Sequence, residues 1–292
     1  TIDNVKPDII FHLAAQAIVL DSYSNPIETY ESNVMGTLNI LEASRKYKNV
    51  KAIVNVTSDK CYENKEQKIG YKETDPMGGY DPYSSSKGCA ELLTNSFRNS
   101  FFNINEYGRK HNTLIASARA GNVIGGGDWA NFRLIPDIVK SINNEKNVEI
   151  RSPYSTRPWQ HVLEPLSGYL VLGEKLLQGK SEIADGWNFG PEDEGSITVK
   201  EVVENMKVHW DQLEYTICSS NKDQHEANLL NLDITKAKKK LNWFPIWDSK
   251  KTFKQTCLWY KNYYLNNKVS SIENLHEYIN DSIIKKACWI SE

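Results

Sequence analysis

The chain has 292 residues, enough for one large domain or two modest ones, each with a real core. Its 35 basic and 37 acidic residues nearly cancel, to a net charge of −2, which excludes the broad basic field that nucleic acid or an anionic membrane would require. The cysteines Cys61, Cys89, Cys218, Cys257 and Cys288 are odd in number and form no CxxC pair, so no metal or disulfide framework is expected; with no apolar run near the ~20 residues of a bilayer span and no signal peptide, the expected compartment is the cytoplasm.

In chain order, Asp8 to Ala15 (DIIFHLAA) is a short apolar run ending in small residues, as in a buried parallel strand. Pro26 opens a helical pattern that continues to Tyr47, with Val34, Leu38 and Leu41 near one face. Lys51 to Val56 (KAIVNV) is β-branched and predicts a second strand. Ser84 to Phe97 predicts a helix, and Thr113 to Ala118 (TLIASA) a third strand. Strand, helix, strand, helix, strand is the pattern of an α/β fold with a doubly wound parallel sheet. From about Gly121, glycine, proline and tryptophan become frequent, and short strands mix with helices such as Glu164–Leu177 and Thr198–Trp210. The expectation is a smaller α/β lobe over 121–292 after a first domain over 1–120, interleaved and without a linker between them. The tail from Lys250 reads as helix, with Trp259, Tyr260 and Tyr263 packing a face, and Lys238-Lys239-Lys240 reads as a solvated helix face.

The first constellation with chemical content is Tyr83-Ser-Ser-Ser-Lys87. Residues four apart share a helix face, so the lysine can bring its ammonium near the phenol and favour the phenolate. Alone, such a pair is more often a surface tyrosine with a solvated lysine. Context argues otherwise. Thr57-Ser58-Asp59-Lys60 follows a predicted strand, and the carboxyl ends of parallel strands are where doubly wound sheets carry their sites. His12, at the end of the first strand, reads as a satisfied core histidine rather than a catalytic group.

Four stretches carry a family resemblance: TSDKCY (Thr57–Tyr62), MGGYDPYSSSKGCAE (Met77–Glu91), RAGNVIGGGDWANFRLIPD (Arg119–Asp137) and RPWQHVLEPL (Arg157–Leu166). In this order they resemble successive motifs of CDP-glucose 4,6-dehydratases, a branch of the extended short-chain dehydrogenase/reductase family. The resemblance implies a Rossmann sheet, NAD as cofactor, CDP-glucose or a related nucleotide sugar as substrate, and a homo-oligomer in the complete family member. It implies catalytic roles for Ser58, Asp59, Lys60, Tyr83 and Lys87, and cofactor contact at Ala14, Ala15, Tyr83 and Lys87. Tyr83 would take the C4 hydroxyl proton of the sugar, and Asp59 would protonate the departing C6 hydroxyl. Lys60 stands where relatives carry a glutamate base. It would remove the C5 proton only if burial or neighbouring positive charge favoured its neutral form, and would otherwise stabilise the enolate. Substrate contacts are implied at Asn122, Arg133, Arg157, Asn188 and His225.

Two departures stand beside the resemblance. The family's opening strand and Gly-rich pyrophosphate turn are not found here; Gly125-Gly126-Gly127 follows a strand in the second half. The first strand resembles the family's fourth, so the expected fold is a partial Rossmann sheet lacking its first strands. As an isolated chain it is expected to self-associate and to bind NAD weakly, which leaves an inactive nucleotide-sugar-binding subunit as an alternative to the enzyme. A different nucleotide-sugar dehydratase or epimerase is the other alternative. The second departure is Leu20-Asp21, where basic residues are expected in this branch.

Overall fold

The computed structural model describes residues 1–150, 152–192, 197–218 and 229–290. After a short helix α1 (Ile2–Val5) the chain enters β1 (Ile9–His12), then α2 (Val19–Ser24) and α3 (Pro26–Tyr30). A π-turn over Glu31–Met35 joins α3 to α4 (Gly36–Lys46), so the single helix expected from Pro26 to Tyr47 is present with one widened turn inside it. Then come β2 (Ala52–Val56), α5 (Pro82–Ser100) and β3 (Leu114–Ala120).

These strands pair in parallel, in the order β1-β2-β3, and β8 (Gly186–Phe189) joins beyond β3 to complete a four-stranded sheet. Both faces are covered, as an all-parallel sheet requires. Alternation along each strand sorts the side chains: Ile9, Phe11, Ala52, Val54, Leu114, Ala116 and Ala118 enter one core, Ile10, Ile53 and Ile115 the other. The first core is closed by α7 (Leu163–Leu177), whose Gly168 and Gly173 let it sit directly on Phe189 and on Ile9 and Phe11. The second is closed by Leu41 of α4 and Phe97 of α5.

The remaining elements form a second cluster. They are β4 (Val123–Ile124), α6 (Leu134–Asn143), β5 (Val148–Ile150), β6 (Thr156–Arg157), β7 (Gln160–His161), β9 (Ile197–Thr198), α8 (Val199–Lys207) and β10 (Tyr215–Ile217). The helices α9 (Ser249–Asn266) and α10 (Ser271–Ile284) end the chain. Strands β4/β7 and β5/β10 pair in parallel, and β6/β9 antiparallel. The core joins α6, α8 and α9 through Ile138, Val139, Met206, Phe253 and Tyr260. Helix α8 starts on a capping box between Thr198 and Glu201 and ends at Lys207, short of the expected Trp210. Trp259 stacks on Tyr263, and Gly126 lies so close to Trp259 that a β-carbon there would fall inside the indole. The glycine run is therefore a packing surface for α9. Lys238, Lys239 and Lys240 are exposed, as expected. Among the described residues, no helix is long and apolar enough to cross a membrane.

Candidate active site

The site gathers at the carboxyl ends of β1, β2 and β3. Beyond β2 the chain makes a 3₁₀ turn over Asp59–Cys61 that Ser58 caps: its hydroxyl accepts the Lys60 backbone N–H at 3.2 Å and donates to Asp59 Oδ1 at 3.0 Å. Helix α5 starts beside it with Asp81 as N-cap, accepting from Ser84 N at 2.9 Å, and Pro82 at the first position. That places Tyr83 in the first turn, its phenol near the Ser58 hydroxyl.

Glycines explain why the MGGY segment lies where it does. Gly79 has φ +138° and presses on the backbone at Ser84 and Ser85; the carbonyl of Gly78 sits where a β-carbon on Gly88 would be. Gly78 N donates to the Cys61 carbonyl at 2.8 Å, and Tyr62 pairs with Met77. The Asp59–Cys61 turn and the MGGY segment are thus clipped together on α5. On the other side, Ser22 of α2 accepts the Tyr83 backbone N–H at 3.1 Å. Asn33 holds both the N–H and the C=O of Gln16 and donates to Ser86, which fixes the loop carrying Ala14 and Ala15. Leu20-Asp21 therefore belongs to a helix that buttresses Tyr83.

Asp59 is 1 % exposed, and its Oδ2 has no hydrogen-bond partner among the described residues. It lies 3.3 Å from where a β-carbon on Gly121 would stand, while Pro158 blocks the same position at 2.6 Å. The RAGN turn after β3 and the RPWQH segment therefore close over the carboxylate. Lys60 is half-buried, and its ammonium has no ion-pair or hydrogen-bond partner among the described residues.

Burial pushes the Tyr83 phenol up to about 12, with Asp59 adding to the rise and the Ser58 hydroxyl and the Arg133 charge opposing it. Lys87 is pushed down to about 8 by burial, opposed by Glu91. Lys87 Nζ donates to the Val56 carbonyl at 3.4 Å, because the long side chain reaches the end of β2. His12 is half-buried, 3.4 Å from the Thr37 hydroxyl, and held below its ordinary value by burial and then by Lys87.

Of the other expected residues, Ala14 is exposed and Ala15 half-buried in the loop beyond β1. Arg133 caps the start of α6, paired with Asp128 at 2.9 Å and within electrostatic reach of Tyr83. Asn122 lies in the turn between β3 and β4, its carbonyl accepting from Gln160 N. Arg157 is buried on β6, one Nη bonded to the Thr156 carbonyl at 2.8 Å. Asn188 is not brought to the site. It is fully buried on β8, its amide nitrogen donating to the Tyr71 and Asp233 carbonyls and its oxygen accepting from Tyr62, so every polar group of its side chain is engaged inside the protein. His225 lies outside the described residues.

The sequence reading passed over Glu91, Arg119, Gly121 and Tyr169. Glu91 and Arg119 form a buried ion pair at 2.8 Å, and Glu91 also accepts from Thr57 beside the Asp59–Cys61 turn. Burial raises the Tyr169 phenol above its ordinary value, reinforced by Tyr83 and Asp59. The spacing Tyr83, Lys87, Glu91 was a signal for one ridge on α5; nothing local marked Gly121 or Tyr169.

The model of the GDP-mannose 4,6-dehydratase family matches residues 1–256. A CDP-glucose 4,6-dehydratase of Salmonella typhimurium is 52% identical over 261 residues, 89% of this chain and 72% of the relative. A dTDP-D-glucose 4,6-dehydratase of Dictyostelium discoideum is 24% identical over 93% of this chain and 69% of the relative. Among solved structures, an epimerase of Methanothermobacter thermautotrophicus superposes with a TM-score of 0.77 at 23% identity, covering 90% of this chain and 74% of that one. The UDP-glucuronic acid 4-epimerase of Bacillus cereus, in complex with UDP-glucuronic acid and NAD, superposes at 0.75 with 18% identity, covering 89% and 77%. A family match over most of the chain, and a relative more than half identical across it, place this protein in the GDP-mannose 4,6-dehydratase family.

Proposed function

We propose that this chain dehydrates CDP-glucose to CDP-4-keto-6-deoxyglucose, with NAD as its resident cofactor. The observation that carries the reading is the Ser58-Asp59-Lys60 turn set against Tyr83 and Lys87 in a chain 52% identical to a CDP-glucose 4,6-dehydratase. The residues fit the nicotinamide end of NAD: small Ala14 and Ala15 leave room beyond β1, and Lys87 holds a cation one helical turn from Tyr83. NAD, when bound, supplies an acceptor for the hydride from C4, a donor that returns it to C6 once water has left, and a positive charge that favours the phenolate.

Tyr83 accepts the proton of the sugar C4 hydroxyl, with Ser58 holding the phenol oxygen. The resulting 4-keto group makes the C5 proton acidic. Lys60, without a partner among the described residues, takes that proton or stabilises the enolate, and Asp59 protonates the C6 hydroxyl as it leaves as water. Arg133 and Arg157 would bind the diphosphate, with Asn122 donating its side-chain amide. The division into a cofactor domain over 1–120 and a substrate lobe over 121–292 is part of this reading, as are the cytoplasm and a homo-oligomer as its setting.

The test is incubation of the purified chain and NAD with CDP-glucose, dTDP-glucose or UDP-glucose, with mass spectrometry of the products. Loss of one water from CDP-glucose in preference to the other two is the expected result. Inversion without loss of water would make the chain an epimerase, and no turnover of any would leave a binding subunit.

A further inference from the structure

Three residues of α5 at successive fours, Tyr83, Lys87 and Glu91, lie against the chain as it leaves β2. Tyr83 meets Ser58, Lys87 donates to the Val56 carbonyl at 3.4 Å, and Glu91 accepts from the Thr57 hydroxyl at 2.5 Å. The helix thus grips three consecutive residues of the turn that also presents Asp59 and Lys60. Alternation along β2 and β3 turns Thr57, Ser117 and Arg119 to the α5 face. All three converge on Glu91: Ser117 Oγ donates at 2.7 Å, and Arg119 donates Nε at 2.9 Å and Nη2 at 2.8 Å. Arg119 in turn donates to the Tyr62 hydroxyl at 2.7 Å and the Glu73 carbonyl at 3.2 Å. Glu91 is 4 % exposed, and its four donors keep the carboxyl below its ordinary value against the opposing effect of burial.

We propose that Glu91 is a positioning residue of the site, which fixes the Ser58–Lys60 turn through Thr57 and supplies the counter-charge that keeps Lys87 cationic. The proposal rests on the reading of Tyr83 and Lys87 as the reacting pair. A buried ion pair could serve only to hold α5 to β3, but two features go beyond that role. One acceptor site is spent on the hydroxyl next to Ser58. The charge also lies one helical turn from a buried lysine that has a backbone carbonyl as its hydrogen-bond partner. The other ionisable groups around Lys87 are His12 from β1, Cys61 from the turn after β2, Tyr83 on its own helix, and Arg119 behind Glu91.

The experiment titrates the Lys87 side chain by NMR of the lysine-labelled full chain, beside turnover of CDP-glucose. Glu91→Gln keeps the shape and removes the charge. The Lys87 midpoint should fall by about one unit or more, and an unchanged midpoint overturns the counter-charge role. Should Glu91→Gln fail to fold with Arg119 unpaired, Glu91→Gln/Arg119→Met removes both buried charges, and a smaller fall is expected because the opposing Arg119 charge is lost as well; an unchanged midpoint there too overturns the counter-charge role. Thr57→Val keeps the ion pair and breaks only the link to the turn. It should leave the Lys87 midpoint in place and lower kcat on the order of tenfold with KM little changed. Unchanged kcat overturns the positioning role. The titration needs no substrate, so absence of turnover in the unsubstituted chain would fail the proposed reaction while the Lys87 midpoint still decides the counter-charge role.

Discussion

At the scale of single residues, Tyr83 and Lys60 divide the proposed chemistry between them. Tyr83 is buried near Ser58, and its phenol is held high by that burial, so its use as a base depends on charge brought to it. Tyr83→Phe removes only the hydroxyl and should lower turnover by about 10²–10⁴ while leaving CDP binding and the melting temperature nearly unchanged. Wild-type turnover in that variant would remove Tyr83 from the reaction. Lys60 is set apart by having no partner among the described residues. Lys60→Met should leave formation of the 4-keto group intact and block elimination. The readout is exchange of the C5 hydrogen in deuterated solvent, and unchanged exchange with normal product would exclude the base role. Loss of exchange leaves base and electrostatic roles to be separated by the pH profile of the wild-type rate.

At the scale of elements, the site depends on how closely the backbone approaches α5. The MGGY segment lies on the first turns of the helix because Gly79 adopts a left-handed φ and Gly88 leaves space for a carbonyl. An alanine at 79 would combine an unfavourable φ with a β-carbon 2.2 Å from Ser85 N. Gly79→Ala should therefore cost more than about 1 kcal/mol of stability and should reduce turnover in the fraction that stays folded. Thermal unfolding and single-turnover rates measured on the same preparation would check both parts. A melting temperature equal to wild type would mean that the segment can lift from α5 without loss.

At the scale of the whole molecule, the chain's end is tied to its middle through one carboxyl. Glu164, at the start of α7, accepts from the backbone N–H groups of Ile246 and Trp247 at 2.9 and 2.7 Å and from the Tyr278 hydroxyl of α10 at 2.8 Å. Burial nevertheless pushes it up to about 7 from an ordinary 4.5. A carboxyl raised in the folded state favours folding in its neutral form. That contribution is complete below the unfolded value and is lost as pH rises through about 7. The melting temperature should therefore carry a downward component between about pH 5 and pH 8, and Glu164→Gln, neutral throughout, should remove it. An identical pH dependence in both proteins would show that the three hydrogen bonds hold Glu164 ionised.

The sequence by itself determined the parallel α/β layering, the helix carrying Tyr83 and Lys87, and the turn carrying Ser58, Asp59 and Lys60. Each is encoded locally, by β-branched residues in β2, by a helical run over Ser84–Phe97 that the structure extends to Pro82–Ser100, and by residues adjacent in the chain. Only the tertiary structure decided the rest, because it depends on pairs far apart in sequence. The engagement of Asn188 came from Tyr62, Tyr71 and Asp233, and Lys87 was drawn to Val56. Glu91 met Thr57 and Arg119 only once β2 and β3 lay side by side under α5. Burial then set the direction in which Tyr83 and Lys87 moved, and no local pattern records how deeply a side chain will be buried.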